Sequence, residues 1–268
     1  MIAVIDVIDV NSDLRRERKT CRQVYGNSCH NDFQLNLIGF STRLYPVAPG
    51  MEKHMITIDI VSDIVCPWCF IGKRRLATAI QQVEQEHPNF SYQLRWLPFF
   101  LNPDTPPEGE PYLPFLEKKF GSRERVEALF ETVRAAGRAY GINYAFEKIE
   151  FRANTLKAHR LLFWAQQRGP VDQLVERLFV AQFQRGEHVG DLDTLINIAV
   201  ECGLPAEEVK TYLVSDEDRD TVRQLEREYR QHGINSVPSF ILQNSELIVG
   251  AEDPKVLAEG ILRHLQKT

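Results

Sequence analysis

Two cysteines three residues apart, Cys66 and Cys69, fall where a strand-like run gives way to a helix-like one, and this placement constrains the chain more than any other feature. Ahead of them, Met55-Ile-Thr-Ile-Asp-Ile-Val61 is β-branched and alternates apolar with small or polar residues, the pattern of a strand. Behind them, Ile71, Leu76, Ile80 and Val83 recur broadly at helical spacing through Glu86. His87-Pro88-Asn89 ends that run, because proline cannot continue the helical hydrogen-bond ladder. Tyr92-Gln-Leu-Arg-Trp-Leu97 alternates again and reads as a second strand. Residues 55–97 are therefore expected to form a strand–helix–strand unit, the arrangement that a parallel pair of strands requires.

Beyond this unit the pattern changes twice. Asn102 to Pro114 is rich in proline, glycine and acidic residues and reads as a loop. Helical stripes then run for more than a hundred residues: Val126, Leu129, Phe130, Val133 and Tyr140; Leu156, Leu161, Leu162 and Ala165; Val171, Leu174, Val175, Leu178, Phe179 and Phe183. Leu192, Leu195, Ile196 and Ala199 follow, with Asp191 placed to cap them. Ser215-Asp216-Glu217-Asp218 is expected to open a charged helix through Val222, Leu225 and Tyr229. Strand character returns in Pro238–Leu242 and Leu247–Val249, a hairpin around Gln243–Glu246, and Asp253-Pro254 starts a last helix. The expected fold class is α/β: a thioredoxin-like fold, a central mixed sheet with flanking helices, interrupted by an all-helical insertion. The expected organisation is a poorly ordered extension over 1–54, a thioredoxin-like domain from 55–102 and 232–268, and a helical insertion domain over 103–231. An extra strand at Met1–Val10 is the alternative for the extension.

Composition narrows the function. The 268 residues carry a net charge of -5, which argues against nucleic acid as the partner. No stretch approaches the ~20 apolar residues needed to span a bilayer, so no membrane role is expected. Met1–Val10 interleaves Asp6 and Asp9 with apolar residues, unlike a secretory signal. The expected location is the cytoplasm, where a paired CxxC is catalytic, redox-sensing or metal-binding more often than structural.

The spacing itself carries chemistry. Positions i and i+3 share one helix face, so the two sulfurs can close a disulfide with little backbone movement. Cys66 sits at the helix start, where unpaired N–H groups and the positive dipole end stabilise an anion. That makes Cys66 the candidate nucleophile and Cys69 the candidate resolving thiol, with Pro67 pre-set for the first helical turn. A zinc site would need further ligands; no second CxxC exists, and His87, His159 and His188 lack the spacing, so no metal is expected. Val237-Pro238 precedes a strand, where proline is tolerated at the first position. Opposite a redox CxxC, a cis-proline turn there would present backbone to a substrate strand. Cys202 reads as a core thiol, and Cys21 and Cys29 as an auxiliary pair only at low odds.

The run Cys66-Pro67-Trp68-Cys69-Phe70-Ile71-Gly72 can be taken together with Trp96-Leu97-Pro98-Phe99, Leu101-Asn102-Pro103, Asn154, His159-Arg160-Leu161, Val237-Pro238-Ser239-Phe240 and Gly250-Ala251. As a set these resemble the FrnE-like branch of the DsbA family over about residues 55–268. The resemblance implies dithiol–disulfide exchange on thiol or disulfide substrates, protein or small molecule, with no bound cofactor. It also implies a cis-Pro238 and a substrate site that draws on Pro67, Trp68, Val237, Pro238, Asn154 and His159. Ser236 departs from the glycine usual in that branch. Kappa-class glutathione transferases and hydroxychromene carboxylate isomerases are similar in fold but carry serine at the first cysteine position; through them glutathione enters as a possible redox partner, and a glutathione-dependent transferase or isomerase as the alternative function. A third reading makes the helical insertion a chaperone-like binding surface. Asn154 also fits a helix cap before Thr155-Leu156, and His159 an interhelical histidine.

Overall fold

The computed structural model describes residues 55–266. The expected extension over 1–54, with its Met1–Val10 strand and the Cys21/Cys29 pair, lies outside the described residues.

Four strands make the main sheet: β1 (Met55–Ser62), β2 (Ser91–Pro98), β5 (Ser239–Leu242) and β6 (Glu246–Val249), in the order β2-β1-β5-β6. β1 runs parallel to β2, from Met55 opposite Ser91 to Ser62 opposite Pro98, and antiparallel to β5. The sheet is therefore mixed, as the pattern predicted. The parallel pair is joined by α1 (Pro67–Glu86), whose end at His87 falls one residue before Pro88. β5 and β6 form the expected hairpin around Gln243, Asn244 and Ser245, the first two with positive φ. β2 is an edge strand. There the side-chain amide of Gln166 accepts from the Trp96 backbone N–H at 2.7 Å and donates to its carbonyl at 3.4 Å, standing in for a neighbouring strand.

β1 is buried on both faces, so its polar residues must be satisfied inside the protein. Asp59 is: Arg95, directly opposite on β2, grips it through two guanidinium nitrogens, with Nη2 to Oδ2 at 2.8 Å. Nη2 also reaches Asn244 in the hairpin turn at 3.3 Å. One side-chain cluster thus ties three strands together at their shared register.

Between the two halves of the sheet the chain is mostly helical. α2 (Tyr112–Phe120) and α3 (Arg123–Arg138) come first, the latter capped by the Ser122 hydroxyl accepting from Arg125 N–H. α4 (Leu156–Gln166) and α5 (Asp172–Val180) follow, and α5 continues as a π-helical turn over Ala181–Arg185. α6 (Leu192–Glu201), α7 (Ala206–Val214) and α8 (Arg219–Gln231) lead back to the sheet, and α9 (Pro254–Leu265) closes the chain against α1, β1 and β5. Asp191 caps α6, its carboxylate accepting from Thr194 N–H at 2.9 Å.

Three expectations need correction. The segment read as a loop over 102–114 contains a short strand, β3 (Glu110–Pro111), and α2 already begins at Tyr112. β3 pairs with β4 (Phe151–Arg152), so the stretch between the sheet halves is not wholly helical. The buried Arg152 holds this small sheet together, bonding Thr105, Asp104 and Glu110. Ser215–Glu217 does not open a helix; α8 starts at Arg219 because the buried Arg160 guanidinium binds the carbonyls of Tyr212, Leu213, Ser215 and Glu217 and holds that segment as a turn. Cys202 is half-buried at the C-terminus of α6, packed against the edge of the core rather than inside it, and Gly203 after it takes positive φ as the helix ends.

Candidate active site

Cys66 is the N-cap of α1, with extended backbone (φ -94, ψ 111), and Pro67 occupies the first helical position. At an N-cap, a Ser or Asp side chain would accept from the exposed N–H groups of the first turn. A thiol stands there instead and makes no cap bond. As a thiolate it would meet those donors and the positive end of a 20-residue helix. Cys69 follows one turn into α1, its N–H bonded to the Cys66 carbonyl at 3.0 Å. Both cysteines are free and buried, Cys66 at 2% and Cys69 at 1% exposure. They differ in surroundings. Cys66 lines a pocket, whereas Cys69 points into the protein.

Burial also sets the acidity of Cys69. Burial pushes the Cys69 thiol well above the ordinary thiol range, and the adjacent Cys66 adds to the shift by hydrogen bond and charge. The Ser62 hydroxyl and the Asp63 backbone oppose it only partly. Cys69 therefore keeps its proton at neutral pH. In a Cys66→Ser variant, alkylation of Cys69 by iodoacetamide should be slow at pH 7 and still be accelerating past about pH 9, since only the thiolate reacts. A rate that levels off near pH 8 would contradict the burial of this thiol. The readout is the mass of the alkylated protein against time at each pH.

Around the first turn, three other segments converge. The Val237–Pro238 peptide bond is cis, and the Val237 carbonyl lies 3.8 Å from Cys66 Sγ, placed to accept from the thiol. Gly72, one turn beyond Cys69, faces that proline. A Cβ there would lie 2.8 Å from Pro238 Cγ, so α1 can approach the turn only where residue 72 has no side chain. From the helical region, the Tyr144 hydroxyl donates to the Pro67 carbonyl at 2.6 Å, and its ring packs against Phe70, Phe146 and Phe183. Burial first, then the nearby cysteines, keep that hydroxyl protonated far above the ordinary tyrosine range. From below, the wholly buried Asp63 accepts at its main-chain carbonyl from Cys66 N–H at 3.0 Å, while its carboxylate accepts from Leu101 N–H at 2.8 Å.

Of the residues singled out in the sequence, Cys66, Pro67 and Trp68 share one wall of the pocket, and Val237 and Pro238 flank Cys66. His159 is not in contact with that space. At 4% exposure it lies behind the cysteines, Nε2 3.2 Å from Asp63 Oδ1 and its ring edge-on to Phe100. Asp63 stands between it and Cys66, its carboxylate on the imidazole and its main-chain carbonyl accepting from Cys66 N–H. Asn154 lies farther off: its Oδ1 accepts from Leu156 N–H at 3.1 Å and its Nδ2 donates to the Thr105 carbonyl at 2.7 Å, and it borders a separate cavity with Asn102, Arg223 and Arg227. The helix-capping reading of Asn154 matches those bonds. Tyr144 and Asp63 were missed. Asp63 was legible as a carboxylate just ahead of the cysteines; Tyr144, 75 positions past Cys69, carried no local signal.

The pocket is walled by Val65, Cys66, Pro67 and Trp68 on one side and by residues of α2 and α3 on the other, with Phe146 and Gln182 at its back. Among the described residues no group of three or more His, Cys, Asp or Glu side chains is arranged to hold a metal. No helix among them is long and apolar enough to cross a membrane.

Comparison with known proteins agrees with this architecture. A curated relative, the uncharacterized protein YwbO of Bacillus subtilis, is 28% identical over 207 residues, covering 77% of this chain and 96% of its own. Among solved structures, a probable DsbA oxidoreductase from Streptomyces coelicolor superposes with a TM-score of 0.72 at 30% identity, covering 80% of this chain and 91% of that one. The cytosolic disulfide reductase DsbM of Pseudomonas aeruginosa, solved with glutathione, shares the fold at a TM-score of 0.53 and 16% identity, covering 78% of this chain and 99% of its own. The model of the DSBA-like thioredoxin domain matches residues 57–262, which contain the sheet, both cysteines and the Pro238 turn. The chain belongs to the DSBA-like thioredoxin-domain family of thiol oxidoreductases.

Proposed function

We propose that the protein is a dithiol–disulfide oxidoreductase of the FrnE-like branch, in which Cys66 attacks a substrate disulfide and Cys69 resolves the product. The observation that carries this reading is the position of Cys66: an N-cap thiol at a helix's positive end, 3.8 Å from the Val237 carbonyl and open to a pocket. The Cys66 thiolate displaces one substrate sulfur as a thiolate and forms a mixed disulfide with the other. Cys69 then attacks Cys66 Sγ, closing the Cys66–Cys69 bond and releasing the second thiol. The geometry favours that order. Two of the influences that hold the proton on Cys69 come from Cys66, by hydrogen bond and by charge, and both are lost once Cys66 is bonded to substrate. Pro67, Trp68, Val237 and Pro238 border the reacting sulfur in this reading, while Asn154 and His159 support the loops around it.

The organisation we propose has the thioredoxin-like part in 55–102 and 232–268, with 103–231 as an insertion that covers the cysteines through Tyr144. We propose a cytoplasmic location and glutathione as the reductant to test first; the fold shared with a cytosolic reductase solved with glutathione supports both. A titration of the protein against reduced and oxidised glutathione, read by mass after acid quenching, tests the central claim. It should show one two-electron transition between dithiol and Cys66–Cys69 disulfide, with a slope of about 30 mV per tenfold change. A protein that stays in one state across the whole range would remove the proposal.

A further inference from the structure

The pocket in front of Cys66 has a composition that selects what it can hold. Its void is about 100 Å³ and its lining is overwhelmingly apolar. An apolar cavity of ~150 Å³ takes up a benzene ring, so this smaller space admits at most one aryl or branched alkyl group, with the remainder of a ligand extending to solvent. Asn102, Arg152, Lys119 and Gln182 break the apolar lining, and Asn102 also borders the neighbouring cavity with Asn154. Arg152 is already saturated by Thr105, Asp104 and Glu110. Lys119 is not: its ammonium lies over the Phe115 and Phe120 rings, and no carboxylate among the described residues comes within ion-pair distance. Gln182 is only 2% exposed and lines the pocket, where its amide is within the reach of a ligand.

We propose that this pocket is a specificity site for small disulfides whose sulfur carries an aryl or branched alkyl body ending in a carboxylate. The inference rests on the redox reading of Cys66 and names its substrate class. The apolar body fills the space between Trp68 and the α2–α3 wall. The carboxylate answers the unpaired ammonium of Lys119, with the Gln182 amide beside it in the lining. A small molecule fits better than the surface of a folded protein, because Cys66 is 2% exposed and is reached through a lined pocket rather than from a flat face. The step balances: Cys66 thiolate attacks one sulfur, the S–S bond breaks, and its electron pair leaves on the second sulfur as a thiolate. The Cys66–Cys69 disulfide then forms as the first arm departs as a second thiol, so one substrate disulfide is reduced and one protein dithiol oxidised.

Three probe disulfides test it, each mixed with the fully reduced protein in a stopped-flow experiment: 5,5′-dithiobis(2-nitrobenzoate), an aryl acid; 4,4′-dithiodipyridine, a neutral aryl compound; and bis(2-hydroxyethyl) disulfide, small and polar. Comparing each rate ratio between variant and wild type cancels the probes' different leaving groups. In Lys119→Gln, the ratio of aryl acid to neutral aryl compound should fall about fivefold, and Gln182→Leu should lower the same ratio. In Leu129→Ala, on the pocket wall, both aryl rates should fall about fivefold relative to the hydroxyethyl compound. Lys118→Gln, an exposed neighbour that does not line the pocket, should leave the ratios within about twofold. Ratios unmoved in the Lys119 and Leu129 variants, or an equal fall in Lys118→Gln, would overturn the pocket assignment while leaving the redox reading intact. Failure of wild type to react with any probe, the hydroxyethyl compound included, would overturn the redox reading and this inference with it.

Discussion

Replacing Cys66 with serine should lower the rate of insulin disulfide reduction by about three orders of magnitude or more, to the background set by the added thiol alone. The reason is chemical. A serine hydroxyl is not ionised at neutral pH and does not attack a disulfide sulfur, so the helix terminus has no anion to act on. The exchange cannot move to Cys69, because burial holds that thiol protonated and away from the pocket. Turbidity of reduced insulin with time gives the rate; a Cys66→Ser protein that retains a tenth of wild-type activity would remove the assignment. The companion variant Cys69→Ser behaves differently. It keeps the attacking thiol and loses the resolving one, so it should accumulate a mixed disulfide visible as a mass adduct. Sustained glutathione-dependent turnover in Cys69→Ser would instead favour the transferase or isomerase reading.

The largest stability effect is expected at Asp59 and Arg95, well away from the chemistry. Arg95 is 1% exposed and is held by a two-pronged contact to an equally buried carboxylate. Asp59→Ala leaves a guanidinium charge inside the sheet with only Asn244 as a remaining side-chain partner among the described residues, and such an orphan costs about 3–5 kcal/mol. Changing both residues, Asp59→Leu with Arg95→Met, removes the charge with its counter-charge. It should restore most of that loss, as apolar replacements of buried pairs often do. Urea unfolding followed by circular dichroism measures both. If Asp59→Ala lowered the unfolding free energy by less than about 1 kcal/mol, the pair would have to be more hydrated than its burial indicates.

Much of this molecule was legible before any coordinates. The strand–helix–strand unit, the terminal hairpin and the last helix are written in local patterns: period-two alternation in β1 and β2, proline after α1, and turn residues at 243–245. The two cysteines gave the site the same way, since a spacing of three on a helix's first turn is a local property. Other features depend on partners distant in sequence. Nothing around Asp59 announces Arg95, 36 residues on; nothing around Arg160 announces that its guanidinium would hold four carbonyls between Tyr212 and Glu217 and delay the start of α8. The short β3–β4 pair was invisible because two residues per strand are too few to show a period.

What the sequence determined by itself is the strand–helix–strand unit, the long helical stripes, the terminal hairpin and the last helix, along with the thiol pair at the start of α1. Hydrophobic periodicity, capping and proline placement act over a few residues, and the chain spells them out directly. Only the tertiary structure decided which thiol borders the pocket, that Tyr144 and the Val237 carbonyl close around the first turn, that His159 stands behind Asp63 rather than in the pocket, and that Lys119 and Gln182 share an apolar lining with Cys66. Burial and charge at a site are sums over segments that folding brings together, and no window of sequence contains the sum.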